Sequence, residues 1–317
     1  MKKLVTSIAL ISAFGLMTPF ADGAVKKSVS FKSNGQTLAG DLYLPDTYKD
    51  GQKLPAVIVT GSWTSVKEQM AGGYAQELAD RGYAALAFDF RGWGASGGDI
   101  KFVENPTEKT KDIVAAADFL AQRPEVNPVK VGALGICASA GYATDAALQS
   151  KVIKAVAVVA PWYHDAEIVA QVYGEHVKPL LAASRAAKSQ YQKTGQSTIV
   201  PAASIDDKSA VMQGEGYYTD TKRGAISSYD NQFNVMTWEP WLTYDAIKTA
   251  ALLEKPTLLI HSEAAAIPQG VKKYIKQAGN RAKSIWLEGI TQFDFYDGAK
   301  PMKIASDEVA KHFSINL

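Results

Sequence analysis

Val131-Gly132-Ala133-Leu134-Gly135-Ile136-Cys137-Ala138-Ser139-Ala140-Gly141 is the stretch from which the rest of the chain can be read. An apolar run suited to a buried strand, residues 129–134, ends at Gly135, and a helical pattern runs from about residue 138 to 149. Small residues at 135 and 139 let the backbones of strand and helix come close, while the residue between them is held strained and exposed at the top of a sheet. That is the geometry of a nucleophile elbow. The central residue is Cys137, at a helix N-terminus whose dipole favours the thiolate. The N–H of Ala138 would be one oxyanion donor. Ser139 is the rival nucleophile. The glycine belongs two residues before the nucleophile, and Ser139 falls within the first helical turn, so Cys137 is preferred. The plainer alternative is an inert, buried cysteine at a strand–helix junction.

Outward from the elbow, strands and helices alternate. Residues 28–32 and 38–44 read as a hairpin around Ser33-Asn34-Gly35. Residues 56–60 and 84–88 are short apolar strands flanking a helix over 67–81 that stops at Gly82, and 107–122 is a second helix. Residues 155–160, 257–260 and 284–287 are further strands, and a C-terminal helix ends over 309–313. Continuous apolar strands alternating with helices imply an α/β fold with a mainly parallel central sheet covered on both faces, and the hairpin adds antiparallel strands at one edge.

One segment breaks the alternation. Residues 164–253 lie between two core strands and exceed an ordinary crossover. Residues 168–188 read as helical. Residues 214–244 hold Tyr217, Tyr218, Tyr229, Phe233, Trp238, Trp241 and Tyr244. A long insertion at the strand-end face is commonly a lid or substrate-contact region. On that reading Trp162, Tyr217, Trp238 and Trp241 are candidates to line a substrate pocket.

Lys2 and Lys3 precede an apolar run from Leu4 to Met17 and a small-residue stretch from Pro19 to Ala24. This is the pattern of a secretory signal peptide, residues 1–23, leaving a single domain over 24–317 that is exported to the periplasm or secreted, with no membrane association after cleavage. A net charge of +2, from 34 Lys+Arg and 32 Asp+Glu, gives no basic footprint for nucleic acid. One cysteine allows no intrachain disulfide, and four scattered histidines argue against a metal site. A small-molecule substrate with no metal and no cofactor is the expectation; oligomeric state is not encoded in any feature of the sequence. The free thiol in an oxidising compartment calls for a reason, either burial or use as a nucleophile.

Taken with its surroundings, the elbow resembles that of the α/β-hydrolases, and its cysteine resembles the dienelactone-hydrolase branch of that superfamily. The likeness covers nearly the whole mature chain. Thr60-Gly61-Ser62-Trp63 follows the first parallel strand, where such proteins place a His-Gly oxyanion loop, so the resemblance implies that the N–H of Ser62 or Trp63 is the second oxyanion donor; the histidine of that loop is Thr60 here. Phe88 to Ser96 resembles the family's Asp-x-Arg-Gly-x-Gly-x-Ser turn, which implies structural roles for Asp89 and Arg91. Together with residues 291–297, these segments resemble a subgroup of exported members.

The resemblance also implies an acid after strand 257–260 and a histidine after the last strand. The first loop reads His261-Ser262-Glu263-Ala264-Ala265-Ala266-Ile267-Pro268, which makes Glu263 the acid candidate. In the second, Gln292 stands where the histidine is expected. An amide donates and accepts hydrogen bonds but cannot shuttle a proton. A serine would then be nearly unreactive; a thiol suffers less. His164 and His261, both at strand ends on the active face, are the substitute bases to test; His176 and His312 lie on helices and are set aside. A histidine at position 292 is expected to raise turnover if Glu263 is correctly placed.

Two functions follow. The first is an exported hydrolase or acyltransferase forming a Cys137 thioester with small esters, lactones or thioesters. The second is a hydrolase scaffold that binds a small ligand without turnover because Gln292 replaces histidine. A thiol redox role is a third, weaker reading.

Overall fold

The computed structural model describes residues 23–317, so the expected signal peptide lies outside the described residues save for its last position. Strands β1 (Val25–Ser33) and β2 (Gln36–Leu44) form the hairpin. Asn34 and Gly35 both take positive φ, 45° and 83°, as a two-residue hairpin turn with the right twist requires. Then follow β3 (Leu54–Thr60), α1 (Met70–Ala79), β4 (Ala84–Phe88), α2 (Pro106–Ala121), β5 (Val126–Ile136), α3 (Ser139–Gln149) and β6 (Ile153–Val159). Asn105 caps α2 through the N–H groups of Thr107 and Glu108, and Pro106 occupies the first helical position, where its missing donor costs nothing.

The insertion holds α4 (Ala166–Tyr173), α5 (Val177–Thr194), short strands β7 (Ile199–Pro201), β8 (Ala203–Ser204), β9 (Met212–Gln213) and β10 (Gln232–Asn234), and α6 (Trp238–Leu242). β7 pairs with β10 and β8 with β9. The single helix expected over 168–188 is two, broken where Gly174 takes φ 52°. The chain then returns through β11 (Thr257–His261), α7 (Pro268–Ala278), β12 (Ala282–Trp286), α8 (Asp294–Asp297) and α9 (Ala299–Asn316).

The eight main strands lie in the order β1-β2-β4-β3-β5-β6-β11-β12, antiparallel at the β1 and β2 edge and parallel elsewhere. This is the α/β-hydrolase architecture with its N-terminal antiparallel hairpin. α1 and α9 pack on one another and on the sheet, as do α2 and α3. β4 and β11 are buried throughout, as are most of β3 and β6, which explains their apolar runs. Gly132 leaves room for the Phe313 ring; a Cβ there would lie 2.6 Å from it. β5 starts earlier than the apolar pattern indicates, because Val126 pairs with Leu54 across a register shift. The winding direction reverses between β3 and β5, and the carboxyl ends of strands flanking such a reversal are where ligands bind.

Candidate active site

Cys137 follows the end of β5 in the left-handed region, φ 57°, and is 6% exposed. Such backbone costs an L-residue on the order of 1–3 kcal/mol and persists only where the surroundings enforce it. They do so here. The Cys137 N–H donates to the Val159 carbonyl at 3.1 Å, and its carbonyl accepts from Ala140 and Trp162 at 3.1 and 2.9 Å. A Cβ on Gly135 would lie 2.5 Å from the Ser139 carbonyl oxygen and 2.8 Å from Ala140 Cα, so only glycine admits the close crossing of strand and helix. Ser139 is fully buried. Its hydroxyl accepts the Ile136 N–H and lies 2.8 and 2.5 Å from the carbonyls of Thr60 and Gly61, tying the end of β3 to the elbow. It braces the turn.

Burial pushes the Cys137 thiol up. Against it work the Tyr296 hydroxyl, the N–H groups of Ala138 and Trp63 and the Gln292 side chain, each pulling it down; burial prevails. The resting group is therefore the neutral thiol, opposite to what its helix N-terminus alone implies. The same contacts choose between the two oxyanion candidates of the β3 loop. Ser62 directs its N–H toward Met70 Sδ at 3.5 Å, and its hydroxyl pairs with the Tyr218 hydroxyl. Trp63, and not Ser62, joins Ala138 among the backbone N–H groups that pull the thiol down.

The loop carrying Trp63 is held from behind. Thr64 has φ 60° and donates its N–H to Glu104 Oε2 at 3.1 Å. Glu104 Oε1 takes the Tyr142 hydroxyl at 3.0 Å and the Lys109 ammonium at 2.6 Å. Both charged side chains are sealed, 0% and 1% exposed, with Lys109 over the faces of Phe90 and Trp93. Burial drives the Lys109 ammonium down while Glu104 opposes it. Asp89 and Arg91 are structural: Asp89 accepts the N–H groups of Lys67 and Ala95, and Arg91 grips Asp112.

Gln292 reaches the elbow from beyond β12. Its Nε2 donates to the Ala160 carbonyl at 2.9 Å and to Tyr296 Oη at 3.2 Å, and its Oε1 accepts the Ala266 N–H at 3.0 Å. The loop after β11 thus offers this arm a donor, where a catalytic histidine would need an acceptor. Glu263 is corrected from the acid role: its side chain is 64% exposed and paired with Lys272 at 2.7 Å, on the outer side of the strand end. His164 is corrected as well. It is buried, its Nδ1 accepts the indole N–H of Trp162 at 3.0 Å, and its Nε2 must then carry the proton donated to the Trp241 carbonyl at 3.1 Å. Burial lowers its pKa to about 4. Both nitrogens are thus engaged, one with Trp162 and the other with Trp241. His261 is buried edge-on to Trp286 at the end of β11, does not line the cavity, and is lowered to about 4 by burial.

Above the thiol lies a cavity of about 350 Å³. Trp63, Cys137, Ala138, Trp162, Ala266, Gln292, Phe293 and Tyr296 line it from the core side. The insertion contributes Val172, Tyr173, Val211, Met212, Tyr218, Trp238 and Trp241. Within this wall Trp241 donates its indole N–H to Tyr173 Oη at 2.9 Å, whereas the indole N–H of Trp63 is buried without a partner among the described residues. Of the expected pocket residues, Trp162, Trp238 and Trp241 face the cavity. Tyr217 does not; it stands behind Tyr218, Phe293 and Tyr296 as packing. Tyr296 and Glu104 were missed. Tyr296 follows Gln292 by four residues, a spacing that one helical turn brings to the same face, and Glu104 sits in the aromatic and apolar Phe102-Val103-Glu104 ahead of Lys109.

Residues 34–262 match the family described as X-Pro dipeptidyl-peptidase (S15 family). The uncharacterized protein YcjY of Escherichia coli K12 is 29% identical over 307 residues, 92% of this chain and 100% of its own. The uncharacterized protein PA2218 of Pseudomonas aeruginosa is 30% identical over 311 residues, 94% of this chain and 83% of its own. The crystal structure of that Pseudomonas protein matches this fold with a TM-score of 0.80 at 27% identity, covering 99% of this chain and all of that one. Thiohydrolase aneE of Aspergillus aculeatus is 29% identical over 171 residues, 53% of this chain and 52% of its own.

Proposed function

The chain belongs to the X-Pro dipeptidyl-peptidase (S15) family of α/β-hydrolases and is a hydrolytic or acyl-transfer enzyme, and on that premise we propose that it works through an acyl-thioester on Cys137. One observation carries this reading: Cys137 sits at φ 57° between β5 and α3 and lines the apolar cavity together with Ala138 and Trp63, whose N–H groups pull its thiol's pKa down against burial. When Sγ attacks an acyl carbon, the carbonyl oxygen gains charge beside those two donors, where preorganised N–H groups are worth several kcal/mol. The thiol proton leaves with the departing group.

A neutral thiol with no base beside it requires a good leaving group, which favours thioesters, lactones and activated esters. A thiohydrolase among the relatives supports the thioester. The walls favour an uncharged, apolar or aromatic acyl group. A dipeptide would bring a free ammonium, and the cavity lining offers it no carboxylate. The signal-like N-terminus supports a reading in which this chemistry takes place after export from the cytoplasm.

Intact-protein mass spectrometry tests the proposal. The mature protein, incubated with a panel of p-nitrophenyl and thioester acyl donors, should gain one acyl mass, and Cys137→Ala should gain none. Labelling equal in both proteins would overturn it. No adduct at all would favour a ligand-binding scaffold.

A further inference from the structure

We infer that the acyl group held on Cys137 is handed to a second thiol rather than to water, with Tyr296 passing the proton between the two sulfurs. The inference rests on the acyl-thioester reading above and names the acceptor that resolves it.

Water must shed a proton as it attacks, and nothing on the cavity wall takes it. Among the described lining residues there is no imidazole and no carboxylate. His164 has both nitrogens engaged, Glu263 lies on the outer surface, and Glu104 is sealed behind the oxyanion loop. An amide such as Gln292 cannot act as base. A thiol does not face the same obstacle. Its proton is far more acidic than that of water, about 8.5 against 15.7. Microscopic reversibility adds a second reason: a site that lets a thioester acylate Cys137 and release a thiol also lets a thiol attack the acyl-enzyme along the same path.

The geometry supplies the proton's route. Tyr296 and Cys137 line the same cavity, and Gln292 Nε2 donates to Tyr296 Oη at 3.2 Å, which leaves the hydroxyl proton free to turn toward Sγ; that hydroxyl is the strongest of the groups that pull the thiol's pKa down against burial. The second lone pair of Oη, on which the Ser62 hydroxyl also acts, takes the incoming S–H during the transfer. In the transfer, the acceptor sulfur bonds the carbonyl carbon and the carbon–Sγ bond breaks. The acceptor's proton passes to Oη, and the original Oη proton goes to Sγ. The products are a new thioester and the Cys137 thiol, with no change in oxidation state. Reactants and products are neutral, the charge that develops on the carbonyl oxygen is met by backbone N–H donors, and burial makes a free Tyr296 phenolate strongly unfavourable.

The experiment loads the full mature chain with p-nitrophenyl phenylacetate, removes the excess donor, and follows the acyl mass at pH 7 with and without millimolar N-acetylcysteamine. Urea-unfolded adduct gives the rate of plain chemical exchange. The expected result is decay at least tenfold faster with thiol than in buffer, faster than in the unfolded adduct, with the phenylacetyl thioester of N-acetylcysteamine as product. Tyr296→Phe should lose about tenfold of the thiol-dependent rate, most at low pH, where the acceptor thiolate is scarce. If that variant folds poorly, a solvent deuterium slowing of about twofold in the wild type carries the relay, and its absence overturns the relay. Thiol-independent decay to phenylacetic acid would overturn the inference alone. Failure to form any Cys137 adduct would remove the acyl-thioester reading beneath it.

Discussion

Replacing Lys109 by Met tests whether the sealed pair behind the oxyanion loop fixes that loop. Lys109 and Glu104 are 1% and 0% exposed and 2.6 Å apart, and the carboxylate also receives the Tyr142 hydroxyl and the Thr64 N–H. Methionine keeps the apolar stem that lies against Phe90 and Trp93 but removes the ammonium. It leaves a carboxylate with two donors and no counter-charge. Breaking a buried pair in this way costs about 3–5 kcal/mol, a large part of a typical stability of about 5–15 kcal/mol. For a chain of this size that is a fall in Tm of about 5–8 °C. The double variant Lys109→Met with Glu104→Gln removes the stranded charge while an amide oxygen still accepts from Thr64 and Tyr142, so it should recover more than half of the loss. Urea unfolding followed by tryptophan fluorescence measures all three proteins, and single-turnover acylation of Cys137 below the melting range measures the loop. Acylation in the single variant should fall about tenfold as the Trp63 N–H shifts. A single variant within about 1 kcal/mol of wild type, or a double variant no more stable than the single, would refute the reasoning.

Gln292→His should not raise steady-state hydrolysis of p-nitrophenyl esters, because the arm meets the Ala266 N–H, a donor, and Glu263 faces solvent; a tenfold gain would show that the imidazole has found an acceptor. Alkylation of Cys137 by iodoacetamide should keep climbing above pH 9, since burial holds the thiol protonated, and Tyr296→Phe should push the profile higher still; a plateau below pH 8 would contradict this. His164, lowered from 6.5 to about 4 by burial, has no effect on stability above pH 6.5, where both states are neutral. As pH falls from 6.5 to 4 the unfolded chain takes a proton that the folded chain refuses, so about 3 kcal/mol of stability is lost. Urea titrations at pH 7.5 and 4.5 should show that loss added to the like one from His261, also lowered to about 4, and His164→Gln should remove about 2–3 kcal/mol of the pH dependence; an unchanged slope would count against the buried neutral imidazole.

The parallel strands were legible because they are buried on both faces and so carry unbroken apolar runs, and the elbow because its close backbone crossing demands Gly135 and Ser139. The limits of the reading are equally physical. Glu263 and Ala266 share one short loop, and only the path of the chain after β11 decides that Glu263 faces water and the Ala266 N–H faces the site. Tyr217 and Tyr218 are neighbours of the same chemistry, and which of them lines the cavity depends on how the insertion docks. Helix position argues for a thiolate at Cys137, but desolvation by aromatic walls brought from far along the chain outweighs it. Glu104 and Thr64 meet across 40 residues of sequence, so no local pattern joins them.

The insertion leaves the sheet after Val159 and returns at Thr257, and these two ends belong to adjacent parallel strands. Closing so long a detour costs only ~1.7 kcal/mol more than closing a 15-residue crossover, because the entropy of closure grows with the logarithm of length. Residues can therefore be gained or lost there at small thermodynamic penalty. The registers that hold Cys137, Trp63 and Gln292 lie outside the detour, whereas much of the cavity wall lies within it. Heritable change in what the cavity admits is thus uncoupled from change in the reacting groups, and one chemistry can be retained while its clientele is rewritten.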